Sequence, residues 1–159
     1  MQLYRFSPIR DEKQLREAII YVAEKTSELS KKTIGKVLPI KSLTIFSHYP
    51  DEFEKLSEMA KTIGDFVNEN NGPRVALREP IKVGENTIIH LRIRKPDPYR
   101  MQVGCNDFEV EDYNTFKNEY LSKYPNNLRL IERKDYEMIE FLDPDFDVLA
   151  YVVSRQLYE

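Results

Sequence analysis

Between residues 42 and 154 one order of patterns occurs twice. Ser42–His48 (SLTIFSH) alternates and is rich in β-formers, so it reads as a strand. Asp51–Gly64 then spaces Phe53, Leu56, Met59, Ala60 and Ile63 to face one side of a helix. Asp65–Asn70, Arg74–Glu79 and Thr87–Lys95 read as three further strands. They are separated by the turns Asn70-Asn71-Gly72-Pro73 and Gly84-Glu85-Asn86, and Pro80 marks an edge or a bend. After the linker Pro96-Asp97-Pro98 the order recurs. Met101–Val110 alternates, and Tyr113–Lys123 is helical, with Phe116, Tyr120 and Leu121 as its apolar stripe. Leu128–Arg133, Tyr136–Leu142 and Val148–Ser154 are three more strands. A duplicated strand–helix–strand–strand–strand order predicts an α+β fold of two βαβββ modules, although residue identity between the halves is slight.

A long helix precedes the first module. In Asp11–Ile34 the residues Leu15, Ala18, Ile19, Val22, Ala23 and Leu29 fall near one face, with charges on most of the other. Asp11 is placed to cap it and Gly35 to stop it. The expected division is an N-terminal helical extension, 1–39, and a domain, 40–159, with modules at about 40–99 and 100–159.

With 41% hydrophobic residues, ten Tyr and eight Phe, the chain can build a core. One Cys excludes an internal disulfide, a four-thiolate zinc site and an iron–sulfur cluster within one chain. No apolar run approaches the roughly 20 residues of a bilayer span, and the first ten residues lack the apolar stretch of a secretory signal. A cytoplasmic protein without membrane contact is expected. The formal charge of −3 argues against a general nucleic-acid binder. Phosphate-binding loops, a Rossmann fingerprint, a nucleophile elbow and the His-Glu-x-x-His pattern are all missing from the sequence.

Two stretches carry a family likeness. Val103–Leu121 (VGCNDFEVEDYNTFKNEYL) resembles the strand–helix entry of the vicinal oxygen chelate superfamily, the glyoxalase/bleomycin-resistance fold. Phe141–Val153 (FLDPDFDVLAYVV) resembles that superfamily's closing hairpin, with Phe146 where a turn Gly is usual. Within it the chain is most similar to YecM-type proteins. Asn71–Val83, an apolar strand, Pro96–Tyr99 and a second entry strand occur there in similar order, after an extra N-terminal helical region. The resemblance covers about residues 40–154. It implies two βαβββ modules whose sheet curves into a half-barrel cup, helices outside and a small-molecule or metal site within.

Strand parity then assigns the cup wall. Ile89, Leu91 and Ile93 are expected on the helix side, with His90, Arg92 and Arg94 inward. In the fifth strand Asn106, Phe108 and Val110 are expected on the helix side, and Cys105, Asp107 and Glu109 inward. The superfamily's metal positions fall on Ser42, His90, Cys105 and Ala150. Ala150 cannot ligate and Ser42 ligates poorly, so no bound metal and no other cofactor are expected. His48, before Tyr49-Pro50, is expected at the surface. His90, Glu109 and Cys105 are the catalytic candidates. Cys105 needs a neighbouring base and cation to act as a nucleophile. Arg92, Arg94, His90 and Glu109 are the ligand-binding candidates. The arginines Arg74, Arg78, Arg92, Arg94 and Arg100 point to an anionic ligand, because the planar guanidinium matches carboxylate and phosphate. Tyr99, Tyr136 and Tyr151 could add hydrogen bonds.

Three functions compete. The first is a binding protein for a small polar or anionic molecule, with the metal set largely lost. The second is a metal-assisted isomerase, lyase or dioxygenase-like enzyme using His90. The third is a dimeric interaction module, a homodimer with its cup packed shut. Fold alone does not choose among them.

Overall fold

The computed structural model describes residues 4–155; the outermost residues of the expected division lie outside this range. Helix α1, Glu12–Ile34, begins where Asp11 accepts a hydrogen bond from the Gln14 amide at 2.8 Å. It ends where Gly35 turns left-handed at φ 74°. Eight strands and two more helices follow: β1 Ile40–Phe46, α2 Pro50–Ile63, β2 Gly64–Glu69, β3 Pro73–Val83, β4 Asn86–Arg94, β5 Gly104–Phe108, α3 Tyr113–Tyr120, β6 Leu128–Glu132, β7 Glu137–Phe141 and β8 Val148–Val153. Every expected element is present, most within two residues of its expected ends. The largest changes are in β3, which runs past Glu79 to Val83, in Met101–Val110, of which only Gly104–Phe108 pairs, and in α3, which stops at Tyr120.

The strands form one open, curved sheet in the order β2-β3-β4-β1-β5-β8-β7-β6. β1 runs parallel to β4, and β5 parallel to β8; β1 and β5 meet antiparallel at the centre. All three helices cover the same face. α1 rests on β1, β5 and β8, and α2 on β2, β3 and β4. From α3, Phe116 packs beside Phe141 of β7. Leu43, Ile45, Val75, Leu91, Ile93, Phe108, Ile139, Phe141, Ala150 and Val152 all point into this layer and are buried. Removing each of the larger ones from water contributes roughly 1.5–3 kcal/mol.

Alternation in β4 holds from His90 onward and fails just before it. Ile88 is fully buried, whereas Ile89, expected in the core, is half-buried. The physical reason is a register shift in the β3–β4 ladder. Ala76 pairs with His90, yet Ile81 pairs with Ile88, so Leu77–Pro80 bulge opposite Ile89 alone. Pro80, which cannot donate to a ladder, sits in that bulge.

The segment before α1 is tied to the body by a buried carboxylate. Glu52, in the first turn of α2, accepts the His48 amide at 2.7 Å through one oxygen and the Ile9 amide at 2.6 Å through the other. His48 is not at the surface as expected from the following Tyr49-Pro50. It is buried under this segment, stacked on Tyr4 at 3.9 Å with Ser7 Oγ 2.6 Å from its Nδ1. Residues distant in sequence cover it, which local turn chemistry cannot report.

Candidate functional site

The face without helices is polar. The registers place Ser42, Thr44 and Phe46 of β1 beside His90, Arg92 and Arg94 of β4. On the other flank of β1 they place Cys105 and Asp107 of β5, then Tyr151 of β8 and Glu140 of β7. Inward placement of Arg92, Arg94, Cys105 and Asp107 follows directly from the period-two geometry of a strand.

A cavity of about 220 Å³ opens on this face. Arg92, Arg94, Cys105, Asp107 and Tyr151 line it from the strands. The β2–β3 turn contributes Asn70 and Asn71, the β6–β7 turn Arg133 and Tyr136, and the loop after β4 Arg100. β2 and β6 are the two edges of the sheet, so curvature has brought the turns beside them to one mouth. Three larger hollows, of about 820, 580 and 540 Å³, lie elsewhere. In them carboxylates pair with or outnumber the cations, as where Arg5 meets Asp147 at 2.7 Å.

The cations of the cavity are poorly neutralised. Arg92 directs Nε to Thr44 Oγ1 at 3.2 Å and Nη1 to the Asn70 carbonyl at 3.1 Å, both neutral acceptors. Arg94 lies over the Phe46 ring at 4.7 Å and reaches Asp97 only at 3.8 Å. Arg100 shares that carboxylate at 3.9 Å. Among the described residues no carboxylate lies within 4.0 Å of Arg92 or Arg133.

Among the described residues Asp107 is the one carboxyl on the lining. Burial raises its proton affinity, while Arg92 and Arg74 act against that. Burial likewise pushes the Cys105 thiol up to about 11, and the nearby Arg92 and Arg94 only moderate it. Cys105 is therefore a thiol at neutral pH and lacks the activation a nucleophile needs. Tyr151 keeps its proton, through burial first and then Cys105 and the hydrogen-bonded Glu140.

Of the sequence-derived candidates, the cavity unites Arg92, Arg94, Cys105 and Asp107. His90 lies on the same face, one step along β4, opposite Ser42 and Ala76, and does not line the cavity. Its affinity for a proton is lowered by burial and by Arg74. Glu109 follows the end of β5, its amide bonded to the Pro39 carbonyl at 2.9 Å, and is likewise outside the lining. Arg74 is buried beside Arg92, Arg78 turns away to Asp65 at 2.9 Å, and Tyr99 is 93% exposed. Arg133 was not singled out by sequence, because its neighbours Lys134-Asp135 read only as a separator.

The four positions that the resemblance assigns to a metal do not fit one. Ala150, on the eighth strand, is fully buried on the helix side, and its neighbour Tyr151 faces the cavity. Cys105 is protonated, and His90 stands apart. Among the described residues no group of three or more His, Cys, Asp or Glu side chains is arranged to hold an ion.

No family model matches the chain, and no curated protein matches it. One solved structure, described as "Structural Genomics, Protein EC4020", superposes with a TM-score of 0.65 at 13% sequence identity, covering 96% of this chain and 91% of that one. At that identity the likeness shows the fold, which extends over nearly the whole chain. Among the described residues no helix is long and apolar enough to cross a membrane.

Proposed function

We propose that this chain is a cytoplasmic, vicinal-oxygen-chelate-like protein, nearest to the YecM type, that binds a small anionic molecule in the cup of its sheet. The fold reading rests on the strand order. Each half runs strand–helix–strand–strand–strand and closes with a parallel pair, β1 with β4 and β5 with β8, on either side of the antiparallel β1–β5 contact. Two βαβββ modules joined side by side account for that arrangement.

The anion reading rests on one observation: among the described residues, four guanidiniums and a single carboxyl line one cavity. Like charges gathered in a partly desolvated hollow repel each other, and an anion relieves that cost. Arginine suits the task through its planar pair of donors. Arg92 is the central residue. Its two hydrogen bonds to neutral groups fix the guanidinium while leaving its charge to act on the cavity. The volume corresponds to roughly seven waters at ~30 Å³ each, so the ligand is small.

The test is a thermal-shift and calorimetric survey of simple anions. A small carboxylate or inorganic phosphate at a hundredfold excess over its Kd should stabilise the fold by about 2.7 kcal/mol. Arg92→Ala should abolish this while melting near the wild-type temperature. Unchanged melting with every anion at high millimolar concentration would overturn the assignment.

A further inference from the structure

We propose that the preferred ligand is a short dicarboxylate, its two carboxylates held by arginines on opposite walls of the cavity; this rests on the anion reading above. Arg94 and Arg100 define one wall, at the end of β4 and in the loop after it. Arg133 defines the other, in the turn after β6. Along the sheet these walls are far apart, separated by the whole run β4-β1-β5-β8-β7-β6. They meet at one cavity only because the sheet curls, so guanidiniums reach it from both halves of the sheet. A compact anion can satisfy one wall at a time, whereas an extended dianion reaches both.

The remaining groups fit that ligand. Arg92 stands on the same strand as Arg94, one strand away from Cys105 and Asp107, and lines the cavity with them. Asn70, Asn71 and Tyr136 add neutral polar groups near the mouth. Among the described residues Asp107 is the one group on the lining that would repel a dianion, and its burial shifts it toward the protonated form, which donates. Arg133 also stands on the divide with a neighbouring hollow that contains Glu111, Asp112, Glu132 and Glu137. Among the described residues none of these comes within ion-pair distance of it; Glu137 instead pairs with Lys117 at 2.8 Å. The turn that carries Asn70 and Asn71 cannot drift from its wall. Gly72 packs so closely on Ile93 that an added Cβ would lie 1.8 Å from its carbonyl oxygen, and Lys95 donates to the Asn71 carbonyl at 3.1 Å.

The experiment compares succinate and glutarate with acetate, propionate and inorganic phosphate by calorimetry at fixed ionic strength. At least a tenfold preference for one dicarboxylate over both monocarboxylates and phosphate is expected. Arg133→Ala, at an exposed position, should bring that dicarboxylate down at least tenfold, to monocarboxylate affinity, and weaken acetate by far less. Arg92→Ala should weaken all of them. If acetate or phosphate binds as tightly as the dicarboxylates, the two-wall proposal is overturned and the anion site stands. If Arg133→Ala leaves the preference intact, the proposal is also overturned. If no anion binds, the anion reading itself falls.

Discussion

Removing the Glu52 carboxylate should loosen the whole segment that precedes α1. This side chain is 3% exposed and accepts two buried backbone amides, from Ile9 and His48, at 2.6 and 2.7 Å. A hydrogen bond to a charged group contributes about 1.5–3 kcal/mol, and an orphaned buried donor costs a similar amount. Two such bonds give about 3–6 kcal/mol as an upper range for Glu52→Ala. Arg5 and Arg10 in this segment are exposed, so water can enter beside the lost carboxylate and about 3 kcal/mol is the expected loss. For a chain of this size each kcal/mol moves Tm by about 2–4 °C, so a fall of roughly 6–12 °C follows. Glu52→Gln keeps one acceptor and sets an amide donor against the other N–H, and should fall between. Melting by circular dichroism reads the stability, and trypsin reads the detachment, because Arg5 and Arg10 are exposed cleavage sites in that segment. A Tm within about 2 °C of wild type, with tryptic cleavage at Arg10 no faster, would refute the reasoning.

Other outcomes follow from the same geometry. Cys105, 7% exposed and with its thiol near 11, should resist iodoacetamide at neutral pH until denaturant is added; prompt native labelling would show an activated thiolate. Gly72→Ala should cost about 2–4 kcal/mol, because it meets a backbone oxygen at a φ of +119°, and it should weaken anion binding as Asn70 and Asn71 shift. Burial lowers the folded-state pKa of His48 and of His90. The unfolded chain therefore takes up the extra protons, and stability falls as pH drops from about 6.5 toward the folded values. His48→Gln and His90→Gln should each flatten that dependence in urea melts, and a profile unchanged in both would remove the histidines from the account.

The order of elements was legible because it depends on local periods. Asp11 and Gly35 bracket α1 through a side-chain cap and a left-handed residue, both short-range effects. Arg92 and Arg94 were legible as inward residues because Leu91 and Ile93, which alternate with them, had to be buried. The same rule misplaced Ile89, since the bulge opposite it lies in β3 and leaves no trace in the β4 pattern. It also could not separate Ala150 from Tyr151 when carrying over a metal position, because a one-residue change of register exchanges the faces. His48 shows the other limit. Nothing beside it in the chain announces that Tyr4 and Ser7 will bury it.

What this sequence determines unaided is its run of helices and strands and the side of each strand that takes the charge. Those are set by residues within a turn or two of one another. Tertiary structure alone decides which charges share a space. Arg133 joins Arg92 and Arg94 because curvature closes the distance between strands far apart in the sheet, while His90, one step from Arg92 on the same face, lies off the cavity lining. Curvature is a property of all eight strands packed against three helices, and no single segment encodes it.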